Sequence, residues 1–489
     1  MHIEKNSFKK EVIKLMRVEK DSIGTVNIPD EAYYGIHSKR AQLNFPITDE
    51  KVHPLLLKSL LLVKIACAQA NYGADNLSYK KYQAITTAAK QVYANFTDYQ
   101  AEFIVPAIQG GAGTSTNMNV NEVVANRALE LMGHAKGDYH FLHPNDDVNR
   151  GQSTNDVYPT GAHLALLKLN QTLITEIDQL VTLLSNLAVK HQKTLKLGRT
   201  QLEDAVPTTY GAAFSAYKNL FSRALQRIKQ ANEALFAIPL GGTAIGTGLT
   251  AVPQYITKVV PFLAKLTGLD LKQADNLPDA VQNTDCFLMT ADAYKNLAVG
   301  LSKMSNDLRL LGSGPRAGLG ELALPKVQAG SSIMPGKINP VIPEVINQIA
   351  FQVIGYNSTI TMCSEAGQLE LNAFEPVMFH DLFDAAQLLQ KGIRTLSDRC
   401  LKDLKVNTKR CVQLTESSAE IATILAPKLG YVRATSLVKT ALEQNTSIRA
   451  LLKEQLKLSP AEIEKLLAPQ TLLGSLNNIK KVQPTSSAL

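Results

Sequence analysis

The sequence has no tryptophan, 6% aromatic residues and only five cysteines in 489 positions. Cys67, Cys286, Cys363, Cys400 and Cys411 are odd in number and match no zinc or redox spacing, so a reduced, cytoplasmic setting is expected. The nine histidines contain no HExxH pattern and join no Cys/His cluster, so neither a metal nor another cofactor is expected. There is no GxSxG elbow of the hydrolase kind. No uninterrupted apolar run reaches the roughly 18 residues that span a bilayer. The stretch Met1 to Arg17 mixes lysines with Glu4 and Glu11 and lacks a long apolar centre, so it reads as an extension before the domain rather than a signal peptide. No membrane association is expected. Net charge is +8, but it is diffuse: no basic run exceeds two residues, as at Lys9-Lys10, Lys80-Lys81 and Lys480-Lys481, and no basic stripe is interleaved with aromatics. A nucleic-acid partner is therefore not expected. A basic surface also attracts small anionic substrates.

What is present is helix. A chain of 489 residues is expected to hold two to four structural units. Residues 18–50 read as irregular, with Tyr33-Tyr34-Gly35 and Asn44-Phe45-Pro46 as loop anchors. Apolar residues recur at helical spacing from Pro54 to Asn95 and again from Val123 to Met132, ending near Gly133. Between His163 and Leu187, the series Leu173, Ile177, Leu180, Leu184, Leu187 steps by four and three in alternation, a coiled-coil-like seam on a long helix. Further long helices are expected over Thr209–Leu235, Ala280–Leu311, Pro343–Ile360 and, with interruptions, Phe374–Leu401. Gly312-Ser313-Gly314-Pro315 ends the second of these. Short helices follow from Val412, one starting at Ser459-Pro460-Ala461-Glu462 with a serine cap and proline at the first helical position. Gln483 to Leu489 read as disordered. The expected class is mainly α in three parts: a mostly helical N-terminal domain (1–155), a central long-helix bundle (156–411) and a small helical C-terminal domain (412–489).

Four polar stretches interrupt this pattern. They are Gly110–Asn119, Gln152–Asp156, Gly198–Pro207 and Gly330–Pro340, each expected at a helix end. Ser, Thr and Asn are common helix caps, which explains any one of the stretches taken singly. Four together, with Lys337 and Asn339 spaced to grip one planar anion by a charge and an amide, describe a site for a small dianion. Gly330 to Lys337 is not a phosphate loop: five residues separate its glycines instead of four, and Ile338 follows the lysine where Ser or Thr is required. Gly241–Gly248 is glycine-rich but lacks dinucleotide-binding spacing and reads as a loop at a bundle end.

Gly330-Ser331-Ser332-Ile333-Met334-Pro335-Gly336-Lys337-Ile338-Asn339-Pro340 resembles the signature loop of the fumarase/aspartase superfamily. Gly113–Asn119 and Gly198-Arg199-Thr200-Gln201 resemble its other two shared regions, in the expected order. The resemblance runs from about Arg17 almost to the C-terminus. Gly110–Thr116, Gln152–Asp156, Pro343–Gln348 and Glu365–Asn372 look like the aspartase branch, and Gln201 stands where fumarases carry a histidine that handles the departing hydroxyl. His143-Pro144-Asn145 looks like the fumarase form, in which the histidine belongs to a secondary dicarboxylate site; His143 also reads simply as a surface loop residue. The resemblance implies an elongated central helical bundle that builds a homotetramer core, with sites shared between subunits. It implies reversible elimination of ammonia from L-aspartate to give fumarate. Ser331 would be the base. Thr114, Ser153, Thr154 and Ser332 would hold the β-carboxylate, and Lys337 and Asn339 the α-carboxylate. Asn155, Thr200 and Gln201 would surround the amino group. Glu344 would support the loop, or is simply a first-turn acid favoured by the helix dipole. A class II fumarase and a non-catalytic helical assembly protein of the same fold are the alternatives.

Overall fold

The structure is a computed structural model, and it describes residues 15–473. The N-terminal extension up to residue 14 and the reading of the tail from Gln483 lie outside the described residues. The chain is mainly α, with four small two-stranded sheets among the described residues. It divides into two compact units. Unit 1 holds the described residues through Gln171, Ile228–Ala293 and Gly355–Gln387; unit 2 holds Thr172–Arg227, Tyr294–Ile354 and the described residues from Leu388.

Unit 1 opens with an antiparallel hairpin, β1 (Met16–Asp21) and β2 (Gly24–Pro29), followed by α1 (Ile36–Asn44). This corrects the irregular reading of residues 18–50. The segment is ordered from outside its own pattern. Arg17 donates to the carbonyls of Pro29, Ala32 and Tyr34, at 2.8, 2.9 and 2.9 Å. The buried Glu122 carboxylate takes the backbone N–H groups of Gly35, His37 and Ser38 at the start of α1. Neither partner is visible in a local sequence window.

Next come α2 (Pro54–Tyr72), α3 (Tyr79–Ala94), the short α4 (Phe96–Tyr99) and α5 (Thr114–Leu131). The long helical stretch expected over Pro54–Asn95 is thus two helices broken at Gly73. By length and composition alone α2 is apolar enough to cross a membrane, although Lys58 and Lys64 interrupt its apolar run. Most of that window is buried, because α2 packs against α3, α5 and the later helix Pro253–Thr267.

The seam predicted a long helix, and α6 runs from Thr154 to Lys190 with Leu173, Ile177, Leu180 and Leu184 fully buried. The hairpin β3 (Leu195–Thr200) and β4 (Glu203–Thr209) leads into α7 (Tyr210–Ala234). Gly198–Pro207 is therefore a hairpin rather than a helix end, because Leu195 and Leu197 alternate into the core along β3. After β5 (Ala237–Ile238) come α8 (Pro253–Thr267) and β6 (Lys272–Gln273), which pairs in parallel with β5. The glycine-rich loop 241–248 follows β5, a strand of only two residues. The helix expected over Ala280–Leu311 is split into α9 (Leu277–Gln282) and α10 (Asp285–Leu311). Then follow β7 (Leu322–Ala323), α11 (Val341–Glu365), α12 (Glu375–Leu396) and β8 (Lys405–Val406). The C-terminal helices are α13 (Thr408–Ser417), α14 (Ile421–Leu429), α15 (Tyr431–Glu443), α16 (Ile448–Glu454), α17 (Pro460–Leu467) and α18 (Pro469–Leu472). They share a core that includes Ile421, Leu425, Leu437, Leu451 and Ile463. Ser459 and Glu462 form the expected cap of α17 as a reciprocal capping box.

Candidate active site

Thr114, Ser153, Thr154 and Asn155 lie in unit 1, at the N-termini of α5 and α6. Thr114 is the first residue of α5, and Gly113 before it sits at φ +82°. A Cβ on Gly113 would lie 2.4 Å from the Tyr158 ring, so only glycine fits. Thr154 is the first residue of α6 and is buried; its hydroxyl oxygen accepts from Asn117 Nδ2 at 3.1 Å. Ser153 Oγ accepts the Asn155 backbone N–H at 3.2 Å. The Asn155 side-chain amide donates to the Ala244 carbonyl at 2.7 Å.

That last contact gives the loop 241–248 a task. The buried Asp156 accepts the backbone N–H groups of Ser153, Gly241 and Thr243 at 3.0, 3.0 and 3.1 Å. One carboxylate thus joins the polar stretch at the start of α6 to the glycine-rich loop. Burial pushes the Asp156 carboxyl up to about 6, against those three hydrogen bonds and the nearby Lys64 charge.

Lys64 is the polar residue that the sequence reading missed. It lies inside the apolar run of α2 and is fully buried. Its Nζ donates to Asn117 Oδ1 at 2.7 Å, Gln152 Oε1 at 2.8 Å and Asn149 Oδ1 at 2.9 Å. Burial pulls the ammonium down to about 8, with Cys67 and Asp156 opposing. The available signal was its register: three and four residues after Leu61 and Leu60, it occupies a core position.

Thr200 and Gln201 lie in unit 2, at the tip of the β3–β4 hairpin. Thr200 pairs with Glu203, leaving Gln201 and Leu202 as a two-residue turn at φ +55° and +70°. Both angles are in the left-handed region that such turns usually fill with Asn-Gly. Arg199 fixes the strand below the tip through a 2.5 Å ion pair with the fully buried Glu321. Tyr210 OH donates to the other Glu321 oxygen at 2.9 Å.

The loop 330–340 is also in unit 2, between β7 and α11. The Gly330 N–H donates to the Lys337 carbonyl at 2.8 Å, and Asn339 Nδ2 donates to the Gly330 carbonyl at 3.0 Å. These bonds close the loop on itself. A Cβ on Gly330 would lie 2.7 Å from the Lys337 carbonyl oxygen, which explains the glycine. Ser331 Oγ accepts two backbone N–H groups, Met334 at 3.0 Å and Ile333 at 3.1 Å. Ser332 and Lys337 are exposed, and among the described residues the Lys337 ammonium has no ion-pair partner. Glu344 is in the first turn of α11; among the described residues its side chain makes no hydrogen bond to the loop. His143 lies in unit 1 with a side chain 40% exposed. Its Nδ1 accepts the N–H groups of Asn145 and Asp146 at 3.2 and 3.1 Å, capping a short helical turn.

Long helices carrying polar, hydroxyl-rich loops at their ends define a class that comparison with known proteins identifies. The family model described as "Lyase" matches residues 24–355, and that of the "Fumarase C C-terminus" matches residues 421–474. The chain belongs to this family of lyases. Within it, the chain is 46% identical to an aspartate ammonia-lyase from Bacillus subtilis, over 93% of this chain and 96% of the relative. Among solved structures, a fumarate lyase:delta crystallin from Brucella melitensis superposes with a TM-score of 0.89 at 42% identity, covering 93% of this chain and 99% of the other. A class II fumarase from Schistosoma mansoni gives a TM-score of 0.89 at 31% identity, covering 95% and 100%.

Proposed function

We propose that this chain is an aspartate ammonia-lyase, converting L-aspartate reversibly to fumarate and ammonia. Its likeness over nearly the whole chain to enzymes of that name supports the reading. The observation that carries the chemistry is the pair of backbone N–H groups on Ser331 Oγ. A free serine hydroxyl is far too weak an acid to be a base near neutrality. Two N–H donors stabilise its alkoxide.

In the reaction the Ser331 alkoxide takes a proton from the carbon beside the β-carboxylate. The electron pair left behind moves into that carboxylate, giving an enediolate-like intermediate. It then returns to form the carbon–carbon double bond as the C–N bond breaks and ammonia leaves. The site must bind the extra carboxylate charge more tightly than it binds the ground state. The hydroxyls of Thr114, Ser153, Thr154 and Ser332 suit that, since neutral donors strengthen as charge develops. Lys337 and Asn339 hold the α-carboxylate by charge and amide, and Asn155, Thr200 and Gln201 surround the amino group. Glu344, in the first turn of α11, is an acid that the helix dipole favours there. Gln201 favours ammonia as the leaving group, because a protonated amine needs less help to depart than hydroxide does.

The same reading makes the enzyme a cytoplasmic homotetramer with sites shared between subunits, needing no cofactor, and divides the chain at about residues 155 and 411. It is tested by following fumarate absorbance with L-aspartate as substrate. Steady fumarate release supports it; no release from the folded protein points to a non-catalytic assembly protein instead.

A further inference from the structure

Lys64 has no place in the mechanism above, yet its surroundings connect it to the carboxylate-binding hydroxyls. An ammonium is a donor with no acceptor capacity. The side-chain atoms of Asn117, Asn149 and Gln152 that face it must therefore be their oxygens, which fixes the orientation of all three amides. With its oxygen held by Lys64, Asn117 presents its NH2 group on the other side, to Thr154 Oγ1 at 3.1 Å and to Asn149 Oδ1 at 3.2 Å. Thr154 Oγ1 is thus an acceptor inside the protein. Its single proton is left to donate elsewhere.

The arrangement is costly to build. Lys64 is fully buried, and among the described residues no carboxylate oxygen accepts from it. Three amide oxygens replace its hydration. If the lysine merely filled space in α2, an apolar residue would do so at lower cost.

We propose that Lys64 is a positioning residue for the β-carboxylate subsite, acting through the Asn117 amide to aim the Thr154 hydroxyl proton at the substrate. Its positive charge lies two hydrogen bonds behind that proton and makes the hydroxyl a stronger donor as charge develops on the carboxylate. The inference rests on the function proposed above, in which Thr154 holds the β-carboxylate.

Two variants test it in the full-length protein, each assayed for fumarate release from L-aspartate alongside a thermal melt. Lys64→Met removes the cation and keeps the length of the side chain. Asn117→Asp keeps the shape and still accepts from Lys64, but cannot donate to Thr154, so the Thr154 proton is drawn inward. Each is expected to lower kcat about 100-fold while KM stays within about threefold of the unaltered enzyme. Asn117→Asp is expected to melt no lower than the unaltered enzyme. A purely structural lysine predicts the opposite: Asn117→Asp with normal kcat, which overturns the proposal. Should Lys64→Met fail to fold, Asn117→Asp decides alone. Normal kcat in a folded Lys64→Met also overturns it. If the unaltered enzyme itself releases no fumarate, the proposed function has failed instead, and the two failures are distinct.

Discussion

Ser331 Oγ accepts the backbone N–H of Met334 with an N···O separation of 3.0 Å. Together with the Ile333 N–H, this bond points two partial positive charges at one hydroxyl oxygen. Ser331→Ala removes the acceptor and the base but leaves the Gly330–Lys337 and Asn339–Gly330 closures intact. Fumarate release is expected to fall by about 10²–10⁴-fold, with the melting temperature and the binding of a non-reacting dicarboxylate little changed. Isothermal titration beside the rate assay separates the two effects.

The hairpin tip should trade stability against activity. Gln201 is held at φ +55°, which costs a side-chain-bearing residue roughly 1 kcal/mol that glycine avoids. Gln201→Gly is therefore expected to raise the urea midpoint while lowering kcat/KM for L-aspartate. A variant that loses both stability and activity indicates that the Gln201 side chain holds the turn.

Gly113→Ala should be among the most damaging single-methyl changes. The added Cβ meets the Tyr158 ring at 2.4 Å and the backbone is at φ +82°, so neither strain nor overlap can be relieved locally. Destabilisation of about 3 kcal/mol or more is expected, with displacement of Thr114 at the start of α5. Urea unfolding measures the first effect and KM for L-aspartate the second.

Burial of Lys64 has a signature in alkaline stability. Its ordinary value of 10.5 falls to about 8 in the folded chain. Between those values the unfolded chain still binds the proton that the folded chain has released, so stability rises with pH across that window. Below about pH 8 both states are protonated and the cost of burying the charge is constant. The urea stability of the unaltered protein, relative to Lys64→Met, is expected to increase by up to roughly 3 kcal/mol from pH 8 to pH 10.5. A flat difference contradicts it.

Much of the fold was legible because helices write their periodicity locally. The steps from Leu173 to Leu187 predicted α6, and Gly312–Pro315 marked the end of α10. The polar loops stood out because serine, asparagine and lysine between glycines and prolines are hard to read as core. What stayed hidden depends on partners far away in sequence. Arg199 lies 122 residues from Glu321, and α1 is organised by Glu122, 84 to 87 residues away. Lys64 was hidden differently: it sits among apolar neighbours in α2, and its three acceptors come from two later stretches, Asn117 in one and Asn149 and Gln152 in the other.

The leaving group is the point on which the assignment turns, and Gln201 carries it. The direct measurement is to incubate the protein with fumarate, with and without ammonium, and to identify the product. L-Aspartate forming only in the presence of ammonium, with no malate in either mixture, is the predicted result. Malate forming in water, with no aspartate when ammonium is present, would contradict it and make the chain a fumarase.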